Sequence, residues 1–215
     1  MADILPFNPL HKKNLGASVA EALLAGRVYP LGALPEFAGA GIYVIYYSGQ
    51  HPAYSELAKR NNCGKATAPI YIGKAVPPGA RKGGGVGGQT GKPLFKRLIE
   101  HAESIRLVSS LAIDDFACRF LVVDDIWIPL GESLLIARYS PVWNAVLDGF
   151  GNHDPGDGRY KGMCPRWDVL HPGRAWAIKC RQRPERAMDI ARDVATYLRS
   201  ATFPTSDRFI EPNDV

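Results

Sequence analysis

Long apolar runs are absent from the sequence, so nothing in it predicts a segment that spans a membrane. The start of the chain also lacks the apolar core of a secretory signal. Cysteine is scarce, and the four cysteines show neither a CxxC pair nor the Cys/His spacing of a zinc site. We therefore expect a cytoplasmic protein with reduced thiols and no structural zinc.

The sequence does carry an excess of positive charge. Its 26 Lys and Arg residues outnumber 21 Asp and Glu, which gives a formal charge of +5 and a pI near 9.0. Such a balance favours a polyanionic partner, because Lys and Arg that neutralise phosphates release condensed counterions. With 46% hydrophobic residues the chain is no disordered protein, and 215 residues suffice for a single domain with extensions.

Two tripeptides, Gly41-Ile42-Tyr43 and Tyr71-Ile72-Gly73, lie in apolar runs rich in β-branched and aromatic residues. These runs predict strands at residues 41–47 and 68–74, with a third strand at 115–123. Helical spacing predicts helices at 16–27, 94–107, 130–139 and 184–199, and residues 175–180 suggest a further strand. Residues 53–61 have helical character and form a long insertion between the first two strands.

A glycine-rich segment, residues 76–92, follows the second strand. Its glycines suit a loop that becomes ordered against a phosphate backbone, and they suit a surface linker equally well. A nucleotide-binding P-loop is excluded, because Gly91-Lys92 is followed by Pro93 instead of Ser or Thr.

Polar residues of four kinds then follow in order. Arg97 and His101 stand one turn apart on the helix predicted at residues 94–107. Glu132 falls in the first turn of the next predicted helix, and Asn144 follows Pro141, which ends that helix. Arg offers a planar fork for phosphate oxygens, His titrates near neutrality, and a carboxylate suits a hard divalent cation. Tyr43 would be the base, which requires help from nearby cations because a free phenol has a pKa of about 10.

This ordered set resembles the GIY-YIG nucleases over roughly residues 40 to 145. The resemblance implies an α+β fold: a small core with a three-stranded antiparallel sheet flanked by helices, plus extensions at both ends. It divides the single domain into an N-terminal extension (1–40), a catalytic core (41–147) and a C-terminal DNA-recognition extension (148–215). The implied catalytic residues are Tyr43, Tyr71, Arg97, His101, Glu132 and Asn144, with Glu132 also the ligand of a single Mg²⁺, for which Mn²⁺ can substitute.

The segments 152–156 and 167–174 resemble type II restriction endonucleases of this superfamily that cut the palindrome CCGCGG. The resemblance implies double-stranded DNA as substrate, a homodimer on DNA, and a cognate methyltransferase as partner. Basic side chains outside the core are expected to read guanine edges or grip phosphates. The DNA-binding candidates are Lys74, Arg81, Lys82, Arg159, Lys161, Arg166, Arg174, Arg181 and Arg183.

Other interpretations of the same residues stay open. Tyrosines in strands commonly serve core packing, a glutamate at a helix start commonly interacts with the helix dipole, and an asparagine after a helix commonly forms a turn. At the level of function, the alternatives are a DNA-binding protein that does not cut, and a structure-specific repair or mobile-element nuclease with the same core.

Overall fold

A four-stranded antiparallel sheet forms the centre of the fold. The computed structural model describes residues 8, 10–76, 91–154, 156, 160–204 and 208–209. Within these ranges the strands are β1 (Tyr29–Pro30), β2 (Gly41–Tyr47), β3 (Pro69–Ala75) and β4 (Phe116–Val122), in the order β1-β4-β2-β3. The mixed architecture was predicted correctly, but the two-residue strand β1 adds a fourth strand to the expected three.

Strand β2 lies in the middle of the sheet, and all seven of its residues are buried. Tyr43, Ile45 and Tyr47 face one hydrophobic core, while Ile42 and Val44 face a second core on the opposite side of the sheet. A strand covered on both faces reads as a continuous apolar run, which is why its bounds matched the prediction. Both β3 and β4 pair with it in antiparallel register.

Seven α-helices lie in the described ranges, and every predicted helix is among them with at least one shifted end. Their bounds are α1 (Lys12–Leu24), α2 (Ser55–Asn61), α3 (Pro93–Arg106), α4 (Ile128–Tyr139), α5 (Val142–Ala145), α6 (Arg166–Leu170) and α7 (Ala187–Ser200). The expected strand at residues 175–180 is wrong: Ala177–Lys179 forms a 3₁₀ turn, and an isolated parallel bridge joins Met163 to Arg181 instead.

Helix α4 starts two residues earlier than predicted, because Pro129 fits its first turn. Glu132 is therefore in the second turn, and the expectation that it lies in the first turn is wrong. The helix approaches the sheet closely at Gly131, where a Cβ atom would lie 2.7 Å from Val19 Cγ1 and 2.9 Å from Ile42 Cδ1. The glycine thus fixes how near the following glutamate comes to the sheet.

Residues from the C-terminal segment, 160–204, which is part of the extension 148–215, belong to the core beside β2. Trp167, Leu170, Ile190 and Val194 belong to the same buried cluster as Tyr43. The predicted insertion between β2 and β3 forms α2, whose last residue, Asn61, bonds through its amide to backbone groups at both strand ends. The C-terminal segment is therefore packed against the core that carries the two tripeptides.

Candidate active site

Tyr43 and His101 meet inside the protein. Strand β2 carries the tyrosine and α3 carries the histidine, and the Tyr43 hydroxyl lies 2.5 Å from His101 Nε2. Both side chains are buried. Burial raises the pKa of Tyr43 well above its usual value, an effect that the nearby Arg97 charge partly opposes. Burial lowers the pKa of His101 well below its usual value, so the pair consists of a neutral phenol and a neutral imidazole at pH 7.

Gly73 makes room for the Tyr43 ring. The two residues are opposite each other in the β2–β3 register. A Cβ atom on Gly73 would lie 2.4 Å from the Tyr43 hydroxyl oxygen, 2.6 Å from Tyr43 Cζ and 3.1 Å from Tyr71 Cε1. Only a residue without a side chain fits there. The glycine of the second tripeptide therefore provides the space that the tyrosine of the first tripeptide occupies.

Arg97 lies on the same side of the sheet, one helical turn before His101. Its Nη2 donates to the Gly151 carbonyl at 2.6 Å, and its Nη1 donates to Glu100 Oε2 at 3.1 Å and to His153 Nε2. Arg97 and Glu100 therefore form an ion pair. The guanidinium also lowers the pKa of Tyr71, although burial is the larger influence and the net shift is upward.

Glu132 approaches from the opposite face of the sheet and forms an ion pair with Lys74 of β3 at 2.6 Å. Its charge raises the pKa of both Tyr43 and Tyr71, so the carboxylate is within electrostatic reach of the two tyrosines despite its different face. Strand β3, an edge of the sheet, carries both Tyr71 and the Lys74 partner of Glu132.

A single magnesium ion is compatible with Glu132 as its carboxylate ligand. Magnesium commonly uses one or two carboxylates, retains several waters and takes its other ligands from substrate phosphates. Glu132 offers one carboxylate whose only described ion-pair partner is Lys74, a partly exposed side chain. In the described parts of the chain, no three His, Cys, Asp or Glu side chains cluster to form a metal site by themselves.

Asn144 contacts the backbone of the edge strand. Its Oδ1 accepts from Ile72 N at 2.9 Å, and its Nδ2 donates to Ile72 O at 2.8 Å. Both ends of the amide are therefore used to hold β3, which carries Tyr71 and Gly73. The structure gives Asn144 the position of a support for that strand.

The loop Gly149–Asn152 closes the site, and its contacts with the site residues were not predicted. The Phe150 ring stacks on His101 with centroids 4.5 Å apart and an interplanar angle of 16°, and it makes a T-shaped contact with Tyr71 at a centroid distance of 5.0 Å. Gly151 approaches Arg97 and Tyr71 so closely that a Cβ atom would lie 2.7 Å from the Tyr71 hydroxyl. These contacts join residues about fifty to eighty positions apart, which no local pattern reveals.

The predicted DNA-binding residues are in very different environments. Arg174 has only 2% of its side chain exposed and is paired with the buried Asp168, so base contact by Arg174 is not supported. Arg166 and Arg183 are largely covered and paired with acidic side chains. Lys161 and Arg181 are exposed. Lys74 pairs with Glu132, and Arg81, Lys82, Arg159 and most of the glycine-rich segment lie outside the described residues.

A GIY-YIG nuclease core is what this fold and this cluster of residues define. A family model described as the Eco29kI GIY-YIG domain matches residues 35–198, and the chain belongs to that family of restriction endonucleases. No curated protein matched the chain. No helix in the described ranges combines the length and apolar character needed to cross a membrane.

Proposed function

We propose that this protein is a type II restriction endonuclease that hydrolyses double-stranded DNA at a GC-rich palindrome, CCGCGG, with one Mg²⁺ ion. The observation that carries the proposal is the buried Tyr43–His101 hydrogen bond beside Arg97, with the Glu132 charge within electrostatic reach of Tyr43. The family match supports the nuclease class.

Tyr43 acts as a proton relay with His101. Its raised pKa makes a free tyrosinate costly, so Tyr43 has to release its own proton as it takes one from water. Neutral His101, with its hydrogen on Nδ1, accepts at Nε2. The water O–H bond breaks, its proton passes to the Tyr43 oxygen and the Tyr43 proton passes to His101, while the water oxygen bonds to phosphorus and the bond to the 3′ oxygen breaks.

Arg97 holds the scissile phosphate. Its guanidinium is a permanent cation with a planar fork that fits two phosphate oxygens. Burial is the main reason why His101 resists protonation, and the Arg97 charge adds to this effect in the DNA-free protein. An arriving phosphate neutralises this influence and makes His101 a better acceptor at the moment of attack. Glu132 would hold the Mg²⁺ ion, which stabilises negative charge on the leaving oxygen.

Sequence reading is assigned to exposed basic residues of the C-terminal segment, Lys161 and Arg181 among those described. Bidentate contact with guanine O6 and N7 is the usual way to read G·C pairs. A palindromic site is matched by two copies related by a two-fold axis, so the enzyme acts as a homodimer on DNA. A methyltransferase of the same specificity protects the host DNA, and both proteins work in the cytoplasm.

Plasmid cleavage tests the function. Discrete fragments whose ends map to one palindrome, formed with Mg²⁺ and absent with EDTA, are the expected result. Nicking at junctions or flaps would identify a structure-specific repair or mobile-element nuclease instead. DNA binding without any cleavage would identify a non-cutting DNA-binding protein.

Glu132→Gln tests the metal site, because it keeps the side-chain shape and removes the charge. We expect retained DNA binding and loss of cleavage at every Mg²⁺ concentration. Glu103→Gln is the matched control, since Glu103 is an exposed residue whose described ion pair is with Arg106. Equal cutting by Glu132→Gln and the control would end the single-metal mechanism.

A further inference from the structure

Two arginines donate hydrogen bonds to four consecutive backbone carbonyls. Arg174 Nη1 donates to the carbonyls of Phe150 and Asn152, each at 3.1 Å, and its Nη2 donates to Gly149 O at 2.9 Å. The remaining carbonyl, that of Gly151, accepts from Arg97. The loop Gly149–Asn152 is thus fixed from one side by the C-terminal segment and holds the site on its other side.

The anchor of the loop is buried and rigid. Arg174 is paired with Asp168 through two hydrogen bonds of 2.6 Å, and its guanidinium lies over the rings of Trp167 and Trp176. Bidentate pairs of this kind fix the direction of the remaining N–H groups. Since those N–H groups point at the loop carbonyls, Arg174 determines the path of the loop.

Phe150 connects the anchored loop to the reacting groups through ring contacts. Its ring contacts the rings of His101 and Tyr71 in the site and those of Trp143 and Trp167 in the core. A flat ring stacked at 16° restricts rotation of the imidazole and so keeps Nε2 directed at the Tyr43 hydroxyl. Proton relay depends on that alignment.

We propose that the loop Gly149–Asn152 is a positioning element for cleavage, in which Phe150 aligns His101 and Gly151 aligns Arg97, with Arg174 as its anchor. This inference rests on the proposed nuclease function. It gives the C-terminal segment a task besides DNA reading: the catalytic groups of the core are aligned only while that segment holds the loop.

Two substitutions disturb the loop in different ways. Phe150→Leu keeps an apolar side chain and removes the flat stack on His101. Gly151→Ala keeps the core intact and places a methyl group 2.7 Å from the Tyr71 hydroxyl and 3.1 Å from Arg97 Nη2. The matched control is Phe37→Leu, because Phe37 loses a comparable stack on Phe120, at 4.1 Å and 4°, and its described ring contacts are with Phe95 and Phe120.

Single-turnover cleavage and DNA affinity are measured for each variant, together with thermal melting. We expect both loop variants to cut about 100-fold more slowly with unchanged affinity, as a displacement near 1 Å would cause. Phe37→Leu is expected to cut at the wild-type rate even if it melts at a lower temperature. Wild-type rates in both loop variants, or an equal loss in Phe37→Leu, would overturn the proposal.

An NMR titration of the His101 ring gives a readout that general destabilisation would not move. Burial is the main reason for its low pKa, and the charged groups around it are Arg97, His153 and Arg174. Phe150→Leu should admit water and raise the pKa of His101, whereas Phe37→Leu should not. An unchanged titration in Phe150→Leu would contradict the inference. If wild-type protein fails to cut DNA, the proposed function is wrong, while the titration still reports whether the loop controls His101.

Discussion

His171 is expected to make the protein sensitive to mild acid. It is fully buried, and both ring nitrogens are in hydrogen bonds: Nε2 lies 2.6 Å from the Tyr54 hydroxyl and Nδ1 lies 2.8 Å from Ser110 Oγ. Trp143 donates to the same Tyr54 hydroxyl at 3.0 Å. Tyr54 therefore accepts from the indole and donates to His171, and the neutral imidazole donates to Ser110.

The size of the effect follows from the pKa values. Burial, assisted by the nearby His51, lowers the pKa of His171 to about 3 in the folded protein. In the unfolded chain the ring titrates near a pKa of about 6.5. Below that pH the unfolded chain takes up a proton that the folded protein refuses, so stability falls as the pH drops towards the folded value. At pH 5 the loss from this one residue is about 2 kcal/mol.

Urea unfolding of wild type and His171→Gln, followed by tryptophan fluorescence, measures this loss. His101 titrates in the same direction but is common to both proteins, so its contribution cancels in the difference. Wild type should be the more stable protein at neutral pH, and its advantage should shrink by about 2 kcal/mol at pH 5. A difference in unfolding free energy that is constant between the two pH values would show that His171 is not held neutral by the fold.

Two further predictions concern the edge strand. Asn144→Asp should lower the free energy of unfolding by about 1–3 kcal/mol, because a carboxylate oxygen replaces the amide nitrogen that donates to Ile72 O. Backbone amides of β3 should also exchange faster in this variant. Unchanged exchange would contradict this. Gly73→Ala should slow single-turnover cleavage about 100-fold while circular dichroism stays that of wild type, because the methyl group displaces the Tyr43 hydroxyl. A fully active Gly73→Ala enzyme would mean that the hydroxyl need not stay where it is.

The local parts of the fold were predictable from sequence. Strand β2 matched its prediction residue for residue, because seven consecutive β-branched, aromatic and glycine residues have few alternatives to a buried strand. The positions of Arg97 and His101 on one helix followed equally from a spacing of four. Glu132 was placed in the wrong turn, since Pro129 moves the start of α4 towards the N-terminus.

The non-local parts could not be derived from spacing. Arg174 looks like any basic residue in the sequence, and only its contacts with Asp168 and three loop carbonyls show that it is buried. Phe150 had no neighbouring pattern that relates it to α3. Charge identifies which residues could contact DNA, but burial decides which of them are free to do so, and burial depends on tertiary packing.

The amide of Asn144 also limits how copies of this chain can associate. Unpaired N–H and C=O groups on an edge strand normally invite a strand from another molecule. At Ile72 those groups are already satisfied by the asparagine. Addition of a strand across β3 would have to expel that side chain first, so the asparagine disfavours β-augmentation at this edge.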